Sequence, residues 1–172
     1  MKNIKNYVVV SAILERNINS ELHIFIQTRW KPKTSPNYTG MIEIPAGGVE
    51  PYENIYEAIS REVKEETGLI ITNIVNDFRS EISENVIHDK NHIFSPFICQ
   101  QSLETNGGLP WVGFVFRCGV TGKIKMQKNE AKDPRWISIN ELKHLIQKKP
   151  ETIFPLQFPV LKQYLSFIEK NK

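Results

Sequence analysis

Short apolar runs, separated by polar and turn-forming residues, mark most of this chain. Residues 7–14 (YVVVSAIL) and 22–28 (LHIFIQT) read as strands, with turn chemistry at Asn17, Asn19 and Ser20 between them. The polar, proline-bearing loop WKPKTSPNYTG then leads to a short strand, MIEIP. Further strands are predicted over residues 70–79, 93–101, 111–120 and 135–138. Helical spacing takes over in three places. One helix follows the Gly-rich loop at 46–48 and stops at Gly68, a natural C-terminal cap. A second covers 140–148, started by Ser138 or Asn140. The third lies within 154–169, where Pro155 and Pro159 confine a regular helix to the later part. No repeat, low-complexity segment or linker interrupts the series. A sheet with helices on both sides packs such elements naturally, so the pattern predicts one α/β domain over residues 1–172.

The first helix breaks its own pattern. At about 100° per residue, Ile55, Ile59 and Val63 form one apolar stripe with Ala58 beside it. Glu62, Glu65 and Glu66 then fall in an arc of about 100° that overlaps the stripe. Glu62 and Glu66 are a like-charge pair at i,i+4, and Glu62 and Glu65 one at i,i+3. All three stand near the helix C-terminus, where the macrodipole disfavours negative charge. Each penalty is worth about a few tenths to 1 kcal/mol at a surface, and more when desolvated. A hard divalent cation reverses all of them, since carboxylate oxygens are what Mg²⁺ prefers. The alternative is a solvated acidic face.

Composition narrows the class without naming a function. A formal charge of +3, with 40% hydrophobic and 24% charged residues, suits a soluble globular protein. That charge argues against a dedicated nucleic-acid binder and leaves room for a local basic site. Cys99 and Cys118 sit in strand-like apolar runs without metal-ligand spacing, and read as buried free thiols of a reducing, cytoplasmic setting. The apolar run after Met1 is eight residues long, ends in Glu-Arg and lacks a small-residue cleavage pattern, so a strand is expected there rather than a signal peptide. No run approaches the roughly 20 apolar residues of a membrane span.

The decisive pattern is GGVEPYENIYEAISREVKEETGL, residues 47–69. Gly47 is followed after five residues by Glu53, and after seven more by Arg61-Glu62-Val63; Glu65-Glu66 and Gly68-Leu69 complete it. The stretch resembles the Nudix box of the MutT/Nudix hydrolases at all nine specified positions. A looser resemblance runs from the strand at Tyr7 through PRWISINEL. It implies an α/β/α sandwich with a central mixed, curved sheet. It also implies hydrolysis of a nucleoside diphosphate linked to another moiety, X, using one to three Mg²⁺ or Mn²⁺ ions and an attacking water. Carried over by position, Glu62, Glu65 and Glu66 would hold metal, with the carbonyl of Ala46 completing the site. Glu53 and Arg61 would pair to orient loop against helix. Gly47 and Gly48 would allow a sharp turn and close approach to the pyrophosphate.

Outside the box the assignments have competitors. The resemblance suggests a further downstream glutamate as metal ligand or base, and Glu130, six residues before Trp136, fits; a solvated loop glutamate is the alternative, and Glu50 is a weaker candidate. Arg29 could approach phosphates, and Trp30 or Trp111 could stack on a base; each could equally be a packing residue. His88 and His92 flank a polar loop and read as solvent-exposed.

X stays open. The EIPAGG lead-in resembles the ADP-ribose-cleaving branch, but Ser83 and Glu84 stand where that branch places a proline. Thr28-Arg29 resembles part of the coenzyme A branch's pattern, with EIPAGG replacing its FPGG ending. An RNA 5′-end pyrophosphohydrolase would use the same site and needs a basic track, for which Lys31, Lys33, Lys123, Lys125 and Lys128 are the candidates. A non-catalytic nucleotide sensor is disfavoured because no box glutamate is lost. The expected partner is a nucleotide-type small molecule; no membrane is expected, and a homodimer is compatible with the resemblance.

Overall fold

The chain begins with a hairpin that opens like a fork. The computed structural model describes residues 7–76, 81–104, 110–126 and 130–171. β1 (Tyr7–Ile18) and β2 (Glu21–Arg29) turn at Asn19 and Ser20, both with positive φ. That mirror turn matches the right-handed twist of the strands, so β1 runs four residues past the predicted end. Near the turn the two pair directly, from Ile18↔Glu21 to Glu15↔Ile24. Toward the open end residues 42–48 fill the gap between them. β3 (Ile42–Glu43) pairs with β2 through Gln27↔Glu43, and β4 (Ala46–Gly48) pairs with β1 through Ser11↔Ala46 and Val9↔Gly48. The Gly-rich stretch expected as a loop is therefore a short strand wedged in the fork.

α1 (Ile55–Thr67) leaves from this point. Asn54 caps it, its Oδ1 accepting the Tyr56 N–H at 2.8 Å, and Gly68 ends it at φ 74°. Next come β5 (Ile70–Ile74), a two-stranded ribbon of β6 (Glu81–Glu84) and β7 (Lys90–Ile93), β8 (Ile98–Gln101) and β9 (Trp111–Thr121). β9 lies parallel to β1 from Tyr7↔Trp111 to Glu15↔Gly119, with β5 and β8 antiparallel to it. β10 (Ala131–Ser138) pairs antiparallel with the outer edge of β2 and leads directly into α2 (Ile139–Lys148). Ser138 and Glu141 form a reciprocal capping box there. α3 (Phe158–Lys170) closes the chain, with Pro159 in its first turn, where a missing N–H is no loss.

Four expectations need correction. The strand predicted over 93–101 is two, because Pro96 removes a backbone donor between β7 and β8; β7 folds back on β6 instead. The strand predicted over 70–79 ends at Ile74, ahead of Asn76 at φ 61°, and residues 77–79 lie outside the described residues. The strand predicted at 135–138 starts at Ala131 and carries an irregularity between Lys132 and Arg135, around Asp133 at φ 49°. Cys99 is exposed rather than buried; Cys118 is buried, and both are free thiols.

The sheet is mixed, with a core on each face. Val10, Ala12 and Leu14 of β1 and Phe25 of β2 pack with Ile55, Ile59 and Val63 of α1. The alternate residues Ile13, Ile24 and Ile26 pack with Leu142 of α2 and Leu161 and Tyr164 of α3. The strand period of two thus sorts side chains to opposite helical layers, giving the α/β/α sandwich that the sequence implied. One buried charge cluster ties α3 to the sheet: Arg117 of β9 donates to Glu15 of β1 at 2.7 and 3.2 Å, and the Tyr164 hydroxyl donates to the same carboxylate at 2.8 Å.

Candidate active site

Three elements meet where the fork holds residues 42–48: the ends of β1 and β2, the wedge itself, and the C-terminal half of α1. The acids of α1 face two different environments there. Glu62 and Glu65 turn to Arg61, whose Nη1 donates to Glu62 Oε1 at 2.7 Å and reaches Glu65 Oε2 at 3.4 Å. The same guanidinium grips Glu53 with two bonds, at 2.8 and 2.9 Å, and donates to the Gly48 carbonyl at 3.0 Å. Glu53 also accepts the Glu50 N–H at 2.9 Å. The structure therefore brings Glu53 and Arg61 together and fastens the chain between β4 and α1 to the helix. Hydrogen bonds from Arg61 hold the Glu53 carboxyl below the usual range, while burial pushes Glu62 above it.

Glu66 points into the protein. Its Oε2 accepts from Gln27 Nε2 at 2.9 Å and from the Ala46 N–H at 3.3 Å. Burial, helped by the negative charge of Glu43, pushes its pKa up to about 8. Glu43, in the MIEIP strand, is raised too, again by burial, against the pull of Arg29, which pairs with it at 2.9 Å. Gln27 and Glu43 were not singled out by sequence reasoning. Their signal was a polar residue at an inward strand position among Ile24, Phe25, Ile26, Ile42 and Ile44, a place usually kept for apolar side chains. Among the described residues, no three His, Cys, Asp or Glu side chains converge as a ready-made ligand set.

Gly47 lies against Glu62 so closely that a Cβ would overlap its carboxylate. Neither Gly47 nor Gly48 has positive φ. Close approach, not the sharp turn that the resemblance suggested, is what demands glycine at 47.

A cavity of about 790 Å³ opens beside the wedge. Ala46, Gly47 and Gly48 form one side, Arg29 and Lys31 supply positive charge, and Trp111 lies on its wall. Arg29 is held by Glu43 and by the Phe154 ring, 4.9 Å from guanidinium to ring centre. Lys31 pairs with Glu130 at 3.0 Å, and the Glu130 carbonyl accepts the Trp30 N–H, which places Glu130 at the end of β2 near the cavity mouth. Trp30 does not line the cavity; its ring carries Lys132 Nζ 3.1 Å from its centre. His88 is exposed and pairs with Glu84, and His92 packs edge-on against Tyr56. Of the lysines, Lys125 lies beside Gly68 at the end of α1, and Lys128 is outside the described residues.

An α/β/α sandwich thus carries these acids on one helix, next to a glycine strand and a cavity lined by Arg29 and Lys31. The family model of the NUDIX domain matches residues 5–157, and the chain belongs to the Nudix family. A search of curated protein sequences found no match. Solved structures show the same fold at low identity. A MutT protein from Methanosarcina mazei Go1 is 19% identical, with TM-score 0.61, covering 100% of this chain and 99% of its own. The Nudix domain of Shewanella oneidensis NrtR, crystallised with ADP ribose, is 11% identical, with TM-score 0.61 over 95% and 89%. A C. elegans Ap4A hydrolase in a binary complex is 14% identical, with TM-score 0.56 over 95% and 98%.

Proposed function

We propose that this protein hydrolyses the pyrophosphate of a nucleoside diphosphate linked to a second moiety, with Mg²⁺ or Mn²⁺ held by Glu62, Glu65, Glu66 and the Ala46 carbonyl. One observation carries the reading: the buried Glu66 carboxylate accepts the Ala46 N–H from behind the wedge, and Ala46 lines the cavity that Arg29 and Lys31 also line. The donor chemistry suits a hard cation, and binding one would require Glu62 and Glu65 to turn from Arg61 toward Glu66. All the donors are oxygens, and burial makes the anionic form of Glu66 costly unless a positive charge is brought to it. When bound, such an ion offsets pyrophosphate charge and makes water easier to deprotonate.

The remaining work belongs to the chain. Arg29, fixed by Glu43 and Phe154, presents its guanidinium to phosphate oxygens. Trp111 and the half-exposed Tyr7, partners across β9 and β1, offer ring faces to a base. Arg61 and Glu53 keep Gly48 in register with α1. Glu65 and Glu130, about half exposed at 50% and 54%, are the carboxylates that water reaches best, each paired at one edge with Arg61 or Lys31. The free thiols suit the cytoplasm.

Cleavage of ADP-ribose, nucleotide sugars, diadenosine polyphosphates, NADH, coenzyme A and nucleoside triphosphates, with and without Mg²⁺ or Mn²⁺ and read as phosphate freed from the products by a coupled phosphatase, tests the proposal. Metal-dependent cleavage of one compound well above the rest is the expected result. Equal rates with metal and with chelator would refute it.

A further inference from the structure

Residues 153–157 form neither helix nor strand, yet Phe154, Leu156 and Gln157 wall the cavity, and the stretch flanks the strand that leads to the acidic helix. Ile153 bridges Ile42 in parallel register, and the Phe154 N–H donates to the Ile42 carbonyl at 2.8 Å. Past Ile42 the backbone needs another partner. Ile44 sits between β3 and β4, fully buried, ahead of Pro45. Gln157 supplies what a strand would. Its Oε1 accepts the Ile44 N–H at 2.8 Å, and its Nε2 donates to the Ile44 carbonyl at 3.0 Å. A primary amide offers the donor and acceptor of a peptide unit, and this one is 4% exposed.

The clamped backbone runs straight into the site. Pro45 accepts the Ala12 N–H at 2.9 Å, Ala46 donates to Glu66 at 3.3 Å, and Gly47 abuts the Glu62 carboxylate. Residues 44–47 are thus held by β1, by α1 and by Gln157, which lies 113 residues away in sequence. A shift at Ile44 would pass along residues 45–47 to the groups beside both acids, the Ala46 N–H on Glu66 and Gly47 next to Glu62.

We propose that Gln157 is a positioning residue for hydrolysis: by clamping both peptide groups of Ile44 it sets the distance between the 44–47 backbone and the carboxylates of Glu62 and Glu66. The inference rests on the reading of those acids as the reaction's machinery. A merely stabilising glutamine would lower Tm and leave the site's properties alone.

Gln157→Met keeps the length and removes both bonds; Gln157→Glu keeps the shape and the acceptor and loses the donor. Val160→Ala, in the core under α3, weakens the same region without removing a hydrogen bond. Three quantities are read well below each variant's Tm: amide exchange at Ile44 and Ala46, Mn²⁺ affinity by electron paramagnetic resonance, and kcat with KM. In Gln157→Met both amides should exchange faster and Mn²⁺ should bind about tenfold more weakly, with kcat down about 10- to 100-fold and KM little changed. Gln157→Glu should move the same way, and Val160→Ala should lower Tm alone. Gln157 variants with wild-type Mn²⁺ affinity and kcat, differing only in Tm, overturn the proposal. A wild type that hydrolyses nothing sinks the proposed activity instead; exchange at Ala46 and Mn²⁺ affinity still decide the clamp, and no change in either overturns it.

Discussion

Glu66 is a carboxylate in a place where a carboxylate does not keep its charge unaided. Its pKa of about 8 stands against 4.5 for an ordinary glutamate, through burial first and Glu43 second. The native state therefore keeps a proton that the unfolded chain releases. The resulting stability is fully present below about pH 4.5 and is lost as the pH rises through about 8. Melting of chelator-treated protein should show Tm falling from about pH 5 to about pH 8, and Glu66→Gln should flatten that slope. A slope unchanged in Glu66→Gln would place the proton elsewhere. In turnover the same residue acts the opposite way: Glu66→Gln and Glu65→Gln should each lose at least about 100-fold in kcat with circular dichroism unchanged. Gly47→Ala should lose about as much, since its methyl group displaces the Glu62 carboxylate. A near wild-type rate in that variant would show that Glu62 can move aside without consequence.

At the scale of the element, α1 has to hold acids at its worst end, so its caps count. Asn54→Ala removes the bond to the Tyr56 N–H and should cost about 1 kcal/mol in urea denaturation, with kcat little altered. The helix was legible in the sequence because its period, its Gly68 stop and its misplaced glutamates all lie within 23 residues. The strands at β1 and β2 were legible too, as short apolar runs bounded by turn residues. What escaped was set by distant partners. Residues 46–48 became a strand only because β1 and β2 diverge to admit them, which no local pattern encodes. Gln27, Glu43 and Gln157 drew no assignment from the sequence, and only the fold brings them around Glu66 and Ile44. Trp30 shows the converse. An aromatic beside the cavity arginine looked like a base platform, and Lys132 from β10 occupies its face.

Over the whole molecule, the Glu15–Arg117–Tyr164 cluster joins β1, β9 and α3 through one carboxylate, and Arg117 also lies 4.8 Å from the centre of the Phe167 ring. Tyr164→Phe keeps the ion pair and removes one bond to a charged acceptor, so a loss of about 1.5–3 kcal/mol is expected from urea unfolding. A loss under about 0.5 kcal/mol would mean that the hydroxyl contributes little. The long parallel pairing of β1 with β9 bears on how the protein is made. Tyr7 meets Trp111, so one edge of the first strand waits for more than a hundred residues to be added before its partner exists. At ribosomal speeds of about 5–20 residues per second, the nascent chain carries that apolar, hydrogen-bond-hungry edge for roughly 5–20 s. Slower synthesis lengthens the wait, and crowded polysomes bring equivalent edges side by side, so the yield of soluble protein depends on what shields Val8 to Leu14 in the interval.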